Sequence, residues 1–284
     1  MTSGHAEFGA AYDALVRRWP AGTRELDLTS EYGSTRVLAC GPEDGPPMVL
    51  LHGGGTTAAS WYGCAAGLSQ EYRVYAVDRI GEPGRSTRGE RRIAGPADLD
   101  RWLDGVLDGL GIGADARAGP AVVCGHSYGG WLALRYALHA PARVRRLVLL
   151  DPTQCFAWFR ARYLLRALPV LLRPSAARAR DFLAWEAGDT DPEYARLYAL
   201  AAGLPGTRVI TARRPRQAEL AALASPALVV LAGDSKAHDT GKVAAAARRL
   251  PGARVTVLAG VSHHAMPVTR AAGLAALISA GQHG

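Results

Sequence analysis

The sequence predicts an α/β fold, a doubly wound and mostly parallel sheet with a helical segment inserted after its sixth strand, and three observations carry that reading. Short runs rich in Val and Leu recur along the 284 residues, each bounded by Gly, Pro or Asp, as suits strands covered on both faces. Segments with helical spacing separate these runs, and strand–helix–strand units in this order close through right-handed crossovers. One long interval, 152–217, holds no convincing strand yet is too long for a loop.

The elements follow in chain order. Arg24–Ser30 and Ser34–Cys40 read as an antiparallel hairpin around Tyr32-Gly33. Met48–Leu51, Arg73–Val77, Ala121–Cys124 and Arg146–Leu150 are buried-strand candidates, with Ala227–Leu231 and Arg254–Leu258 late in the chain. Leu99, Trp102, Leu103, Val106, Leu107 and Leu110 repeat at helical spacing, and Pro96 suits a first turn. Tyr128–His139, stopped by Pro141, Val243–Leu250 and Pro267–Ile278 supply further helices. The domain reading is a core of residues 1–151 and 218–284 with a helical cap of 152–217. The cap segment carries Trp158, Phe159, Tyr163, Phe182, Trp185, Tyr194 and Tyr198 on stretches broken by Pro169, Pro174 and Pro205. Lying over the sheet's C-terminal edge, its aromatics can face a substrate cavity or pack the cap. Trp158, Phe159 and Trp185 are the candidate substrate contacts.

Bulk composition narrows the function classes. Hydrophobic residues make up 49% and charged residues 20%, the balance of a folded globular chain. No run approaches the roughly 18–20 apolar residues needed to cross a bilayer, so no membrane partner is expected. Met1–Ala10 carries Glu7 and lacks a basic start followed by an apolar run, and the expected location is the cytoplasm. Net charge is +8, but it is nearly all arginine dispersed along the chain, the lysines being Lys236 and Lys242 alone. Without a basic run interleaved with stacking aromatics, no nucleic-acid partner is expected. Cys40, Cys64, Cys124 and Cys155 are far apart and form no C-x-x-C pair, as suits free thiols in a reduced compartment. Oligomeric state is not written in the sequence.

The sharpest chemical signal is Gly125-His126-Ser127-Tyr128-Gly129, directly after the apolar run Ala121–Cys124 and directly before a helix. A nucleophilic serine on so tight a strand-to-helix turn needs small residues two before and two after, and Gly125, Gly129 and Gly130 supply them. A hydroxyl is a poor nucleophile until a base takes its proton. In chain order that base comes last, and His263, with His264 as the fallback, follows the final strand candidate. An oxyanion needs backbone N–H donors. Tyr128 offers one at a helix N-terminus, and Gly54 in His52-Gly53-Gly54-Gly55 is the choice for the second. His52 reads as a structural residue of that loop.

Together these residues resemble the α/β-hydrolase superfamily, in its subgroup with a lid inserted after the sixth strand, over about Met48 to Pro267. Asp78-Arg79-Ile80-Gly81-Glu82-Pro83-Gly84-Arg85-Ser86 is similar to the family's Asp-x-x-Gly-x-Gly-x-Ser turn, with one extra residue between the glycines. Asp78 in that turn is read as structural. The resemblance implies a triad acid about three residues past the glycine that ends the seventh strand. That stretch reads Gly233-Asp234-Ser235-Lys236-Ala237-His238-Asp239, and the expected position holds Lys236, which cannot accept the histidine N–H. Asp151, at the end of the sixth strand, is the first choice for the acid, ahead of Asp234 and Asp239. The implied chemistry is acyl transfer through Ser127 on a small, apolar ester, lactone or related acyl substrate, with no metal or organic cofactor. Thioester or carbon–carbon bond cleavage on the same three residues is the alternative, as is non-catalytic binding of an apolar ligand under the lid.

Overall fold

The hairpin forms as β1 (Arg24–Ser30) and β2 (Gly33–Cys40), antiparallel in register from Arg24 opposite Ala39 to Ser30 opposite Gly33. Gly33 is irreplaceable in kind: it sits at φ 125°, and a Cβ there would run into the backbone of Thr87 and Gly89. Pro47–Leu51 (β3) and Arg73–Val77 (β4) follow, then a two-residue strand, Thr87–Arg88 (β5), that the sequence did not announce. Ala121–His126 (β6), Val144–Leu150 (β7), Ala227–Ala232 (β8) and Arg254–Leu258 (β9) complete the sheet. These are the elements of a computed structural model, which describes residues 3–205, 210, 213–268 and 271–280.

Across the sheet the order is β1-β2-β4-β3-β6-β7-β8-β9, with β5 on β2. Every neighbour from β4 to β9 pairs in parallel. Each residue of β3, β6 and β8 is buried, which explains their unbroken apolar character. The chain leaves β3 first towards β4 and then, on the other side, towards β6. The crevice of the sheet therefore opens at the carboxyl ends of β3 and β6, where the strand order reverses.

Helices cover both faces. On one side lie α1 (Ser3–Val16) and α2 (Tyr62–Leu68), which place Tyr12, Leu15, Cys64 and Leu68 in the core. The other face holds α3 (Pro96–Gly109) and α4 (Tyr128–His139), with Trp102, Leu103, Trp131 and Leu134 buried. Between β7 and β8 run α5 (Ala161–Leu172), α6 (Ala176–Ala187), α7 (Pro192–Ala201) and the short α8 (Gln217–Ala221). The first three contribute Tyr163, Phe182, Leu183, Tyr194 and Leu197 to the same core as α1 and α2. α9 (Thr240–Ala247) and α10 (Ala271–Ser279) close the chain order. No helix among the described residues is long and apolar enough to cross a membrane.

The departures from the sequence reading have local causes. α1 and α2 went unread because their buried stripes are diluted by Gly and Ala. Pro169 lies inside α5 without ending it, and the helix runs on to Leu172 although Pro169 has no N–H to donate back along it. α9 starts at Thr240, not Val243, because Asp239 caps it: Oδ1 accepts the Lys242 N–H at 3.0 Å. Residues 263–268 form turns, and the last helix begins at Ala271.

Packing around α4 leaves no room for a side chain at two glycines. A Cβ on Gly125 would overlap Gly129 O, and one on Gly129 would overlap Leu51 O, backbone that cannot give way. We expect Gly129→Ala to cost at least about 3 kcal/mol in urea unfolding. Gly54→Ala, where nothing lies within 4 Å of the new Cβ, should stay within about 1 kcal/mol of the parent.

Candidate active site

Ser127 joins β6 to α4 with φ 53° and ψ −116°, a conformation that an L-residue adopts only under constraint. The constraint is visible. Ser127 N–H donates to Leu150 O at 3.0 Å, and Ser127 O accepts from Gly130, Trp131 and Thr153 at 3.0, 3.2 and 3.2 Å. The turn thus pins β6, β7 and α4 together and presents the hydroxyl at the crevice.

His263 lies after β9 and is held from four directions. Its Nε2 is 2.8 Å from Ser127 Oγ, and its Nδ1–H donates to Asp151 Oδ2 at 2.6 Å. Its backbone N–H donates to Glu186 Oε1 at 3.1 Å. Its carbonyl accepts from His126 Nε2 at 2.9 Å, and a carbonyl can only accept, so that nitrogen carries the proton. The ring is fully buried.

Asp151 ends β7 at φ 41° and is completely buried. Its Oδ1 accepts the Ala232 N–H at 3.0 Å, and its Oδ2 accepts the Ser235 hydroxyl at 2.8 Å. His238 Nε2 stands 3.2 Å from Oδ1, close but out of line for a good hydrogen bond, and its Nδ1 has no partner. Burial alone would raise the Asp151 carboxyl. The His238 and His263 imidazoles overcome it and hold Asp151 well below the usual carboxylate range. Burial likewise opposes protonation of His263, but the bond to Asp151 and the charges of Asp151 and Glu186 raise it above 6.5. Asp234 is exposed, and Asp239 is spent on capping α9. Of the three carboxylates the sequence left open, Asp151 is the one in contact with His263.

His264 points elsewhere. Burial and the neighbouring His263 and His126 hold it well below 6.5, and its Nε2 lies 3.1 Å from Tyr163 Oη in the inserted helices. His126 is pushed down to about 3 by burial and by His263, and so remains neutral. The cluster Asp151, His238 and His263 is the one His/Cys/Asp/Glu grouping among the described residues whose ligand atoms, all within 4.8 Å of one another, could surround a metal ion. The Asp151–His263 hydrogen bond accounts for two members of that grouping, and His238 stands 3.2 Å from Asp151 without one.

The loop after β3 runs against the Ser127 turn. A Cβ on Gly53 would be 3.3 Å from Ser127 Cβ, whereas Gly54 beside it faces open space. Gly55 N–H is taken by Glu82 Oε2 at 3.0 Å, and Glu82 pairs with Arg79 at 2.5 Å. Arg79 N–H donates to His52 Nε2 at 3.1 Å, and His52 Nδ1–H donates to Gly53 O at 2.8 Å. His52 is thus a loop staple. Glu82, in the lengthened Asp78–Ser86 turn, steadies this glycine loop. Asp78 accepts from Tyr12 Oη, Ala58 N and Arg85 N, a purely structural set. Gly54 has no hydrogen bond through its N–H, and Tyr128 N–H, first in α4, has no intrahelical carbonyl to bond.

Of the three expected aromatic contacts, two gather near the histidines. Phe159 stacks on Tyr163 at 5.5 Å between ring centres, and Trp185 lies 6.3 Å from the same ring. Tyr163 is edge-on to His263 at 6.2 Å. Trp158 departs from expectation: it is 61% exposed and meets the group only through Phe159. The sequence reading also missed Glu186. This fully buried carboxylate of α6 accepts the N–H groups of both His263 and His264, at 3.1 and 2.9 Å, while Lys236 Nζ donates to its carbonyl at 2.6 Å. The clue was available in hindsight: an acid alone among Leu183, Ala184, Trp185 and Ala187 on a helix needs a buried partner.

This combination of sheet, switch-point crevice and strained serine turn defines an α/β hydrolase, and the alpha/beta hydrolase family model matches residues 48–277. The chain belongs to that family. It is 32% identical over 183 residues to carboxylesterase YbfK of Bacillus subtilis, covering 64% of this chain and 58% of that protein. It is 35% identical over 149 residues to the uncharacterized carboxylesterase nap of Bacillus subtilis, covering 52% and 47%. The aligned sequence thus spans about half the length of these curated relatives. In three dimensions the crystal structure of carboxylesterase CesB (YbfK) matches over 100% of both chains, with TM-score 0.89 and 25% identity. That of naproxen esterase (carboxylesterase NP) from Bacillus subtilis matches over 99% of both, with the same TM-score and identity.

Two outcomes follow from the buried polar groups. Glu186→Ala leaves two buried N–H groups without acceptors, and we expect a loss of about 2–4 kcal/mol in chemical unfolding. Because the native carboxyl of Asp151 lies below its unfolded value of about 3.9, its contribution to stability is full above that pH. It drains as pH falls further. Asp151→Asn should therefore unfold with a shallower acid slope than wild type below about pH 4, as read by thermal melts across pH.

Proposed function

We propose that this chain is a serine hydrolase that cleaves carboxylic esters through an acyl-enzyme. The observation that carries the proposal is the continuous chain Ser127 Oγ–His263 Nε2 at 2.8 Å and His263 Nδ1–Asp151 at 2.6 Å, mounted at the sheet's switch point. Its resemblance in sequence and shape to proteins named carboxylesterases supports the choice of esters over thioesters or carbon–carbon bonds.

In this reading His263 takes the Ser127 proton as Oγ attacks the carbonyl carbon, and Asp151 stabilises the imidazolium. The oxyanion is received by the N–H groups of Tyr128 and Gly54. His263 then protonates the leaving alkoxide, and water, activated by the same histidine, hydrolyses the acyl-enzyme. Residues 152–217 act as the cap, and the group around Phe159, Tyr163, Phe182 and Trp185 favours an apolar small molecule. No nucleic acid takes part. We place the protein in the cytoplasm, a reading supported by four cysteines that are all free and buried.

The test is p-nitrophenyl ester hydrolysis across acyl lengths. Wild type should turn over short to medium apolar esters, Ser127→Ala and His263→Ala should lose covalent turnover, and Asp151→Asn should fall by up to about 10⁴ in kcat. Absence of wild-type turnover, or unchanged activity in Ser127→Ala, would overturn the proposal. The pH profile gives a second check. Since the base works unprotonated and His263 is raised above 6.5, the acid limb of kcat/KM should have its midpoint above about 6.5. In Asp151→Asn that midpoint should move to lower pH.

A further inference from the structure

Helix α5 buries one side and leaves another side apolar in solvent. Tyr163, Ala167 and Val170 face inward, three and four residues apart. Leu164, Leu165, Leu168, Leu171 and Leu172 recur at the spacing of a single helical face, yet they are between 38% and 71% exposed. Trp158, just before the helix, adds a ring that is 61% exposed. Scattered exposed leucines need no explanation; five on one face, with a tryptophan beside them, mark a contact surface.

The charge around this face is one-sided. Arg160, Arg162, Arg166, Arg173, Arg178 and Arg180 are all exposed, and residues 152–180 contain neither Asp nor Glu. Arg160 approaches Asp239 at 3.8 Å, and Arg166 lies over the Trp185 ring at 5.6 Å. On the helix, Arg162 projects about 60° and Arg166 about 100° beyond the leucine arc. An apolar stripe with a tryptophan at its edge and a cationic flank is the pattern of a helix lying in a lipid interface.

We propose that the outer face of α5, with its arginine rim, docks on an anionic lipid surface. A second copy of the chain fits less well: it would bring two such arginine rims together with no carboxylate in either 152–180 segment to offset them. Lipid phosphates supply the missing negative charge. The absence of an apolar span, on which the sequence expectation of no membrane partner rested, does not bear on docking, which needs only a surface helix. The inner face of the same helix carries Tyr163 against His263 and His264, so a docked molecule holds its catalytic crevice close to esters dissolved in the lipid.

Vesicle co-sedimentation tests this directly, with phosphatidylcholine vesicles made with and without phosphatidylglycerol. Wild type should bind the phosphatidylglycerol vesicles, more weakly as salt is added, and should leave pure phosphatidylcholine largely in the supernatant. The double variant Leu165→Glu, Leu172→Glu should lose binding while keeping the wild-type melting midpoint, because both side chains are exposed. Arg162→Gln with Arg173→Gln should weaken binding about 25-fold, roughly fivefold for each arginine. The proposal is overturned if wild type ignores anionic vesicles, if it binds neutral ones equally, or if the leucine variant still binds. It is also overturned if sedimentation velocity shows a wild-type dimer that the leucine variant dissolves, since a second copy then covers the face. None of these readouts depends on ester turnover.

Discussion

The backbone of Ser127 sits where a non-glycine residue pays about 1–3 kcal/mol, and the surrounding packing holds it there. Its amide is tied to β7 through Leu150, its carbonyl collects three N–H groups, and the glycines on either side let β3 and α4 close to backbone contact. A parallel sheet with helices on both faces provides that rigidity, since β3, β6 and β7 are buried along nearly their whole length. Relaxing the turn would move the serine hydroxyl away from His263 and pull apart three strands, so strain at one residue and order in the sheet are the same constraint.

Around that turn the structure buries an unusual amount of polarity. Asp151 and Glu186 are both fully enclosed, and each is surrounded by donors: Ala232 N–H, Ser235 Oγ and His263 Nδ1 for the first, His263 N–H, His264 N–H and Lys236 N for the second. A buried carboxylate without such partners would be strongly unfavourable, and with them it fixes geometry. The two acids hold one histidine by different handles, Asp151 by its ring and Glu186 by its main chain. Because Glu186 belongs to α6, the inserted helices are joined to His263 by a hydrogen bond as well as by the aromatic contact of Tyr163, while Phe182 meets the adjacent His264.

Lys236 shows how a missing residue can be informative. Its position is where the resemblance led one to expect an acid, and the lysine instead donates to the Glu186 carbonyl and lies 5.6 Å from the Trp185 ring. The loop after β8 therefore serves the inserted helices through Lys236 and reaches the buried carboxylate of β7 through Ser235 and His238. The carboxylate that meets His263 stands one strand along the sheet, at the end of β7, and the expected place holds a lysine that helps attach α6.

What the sequence determined by itself was everything written in local pattern. Buried parallel strands announce themselves as apolar runs, the serine turn as glycines at fixed offsets, and the histidine by its place after the last strand; these depend on neighbours in the chain. Choosing among Asp151, Asp234 and Asp239 could not be settled that way, because each is a carboxylate at the end of a strand or loop and only the folding of β7 against β8 brings one of them to His263. The same holds for Glu186, whose partners lie 77 and 78 residues away, for His238, and for the outward turn of Trp158. Periodicity tells which side chains share a face of their own element. Which groups meet across elements is decided by how those elements pack, and that information exists only in the tertiary structure.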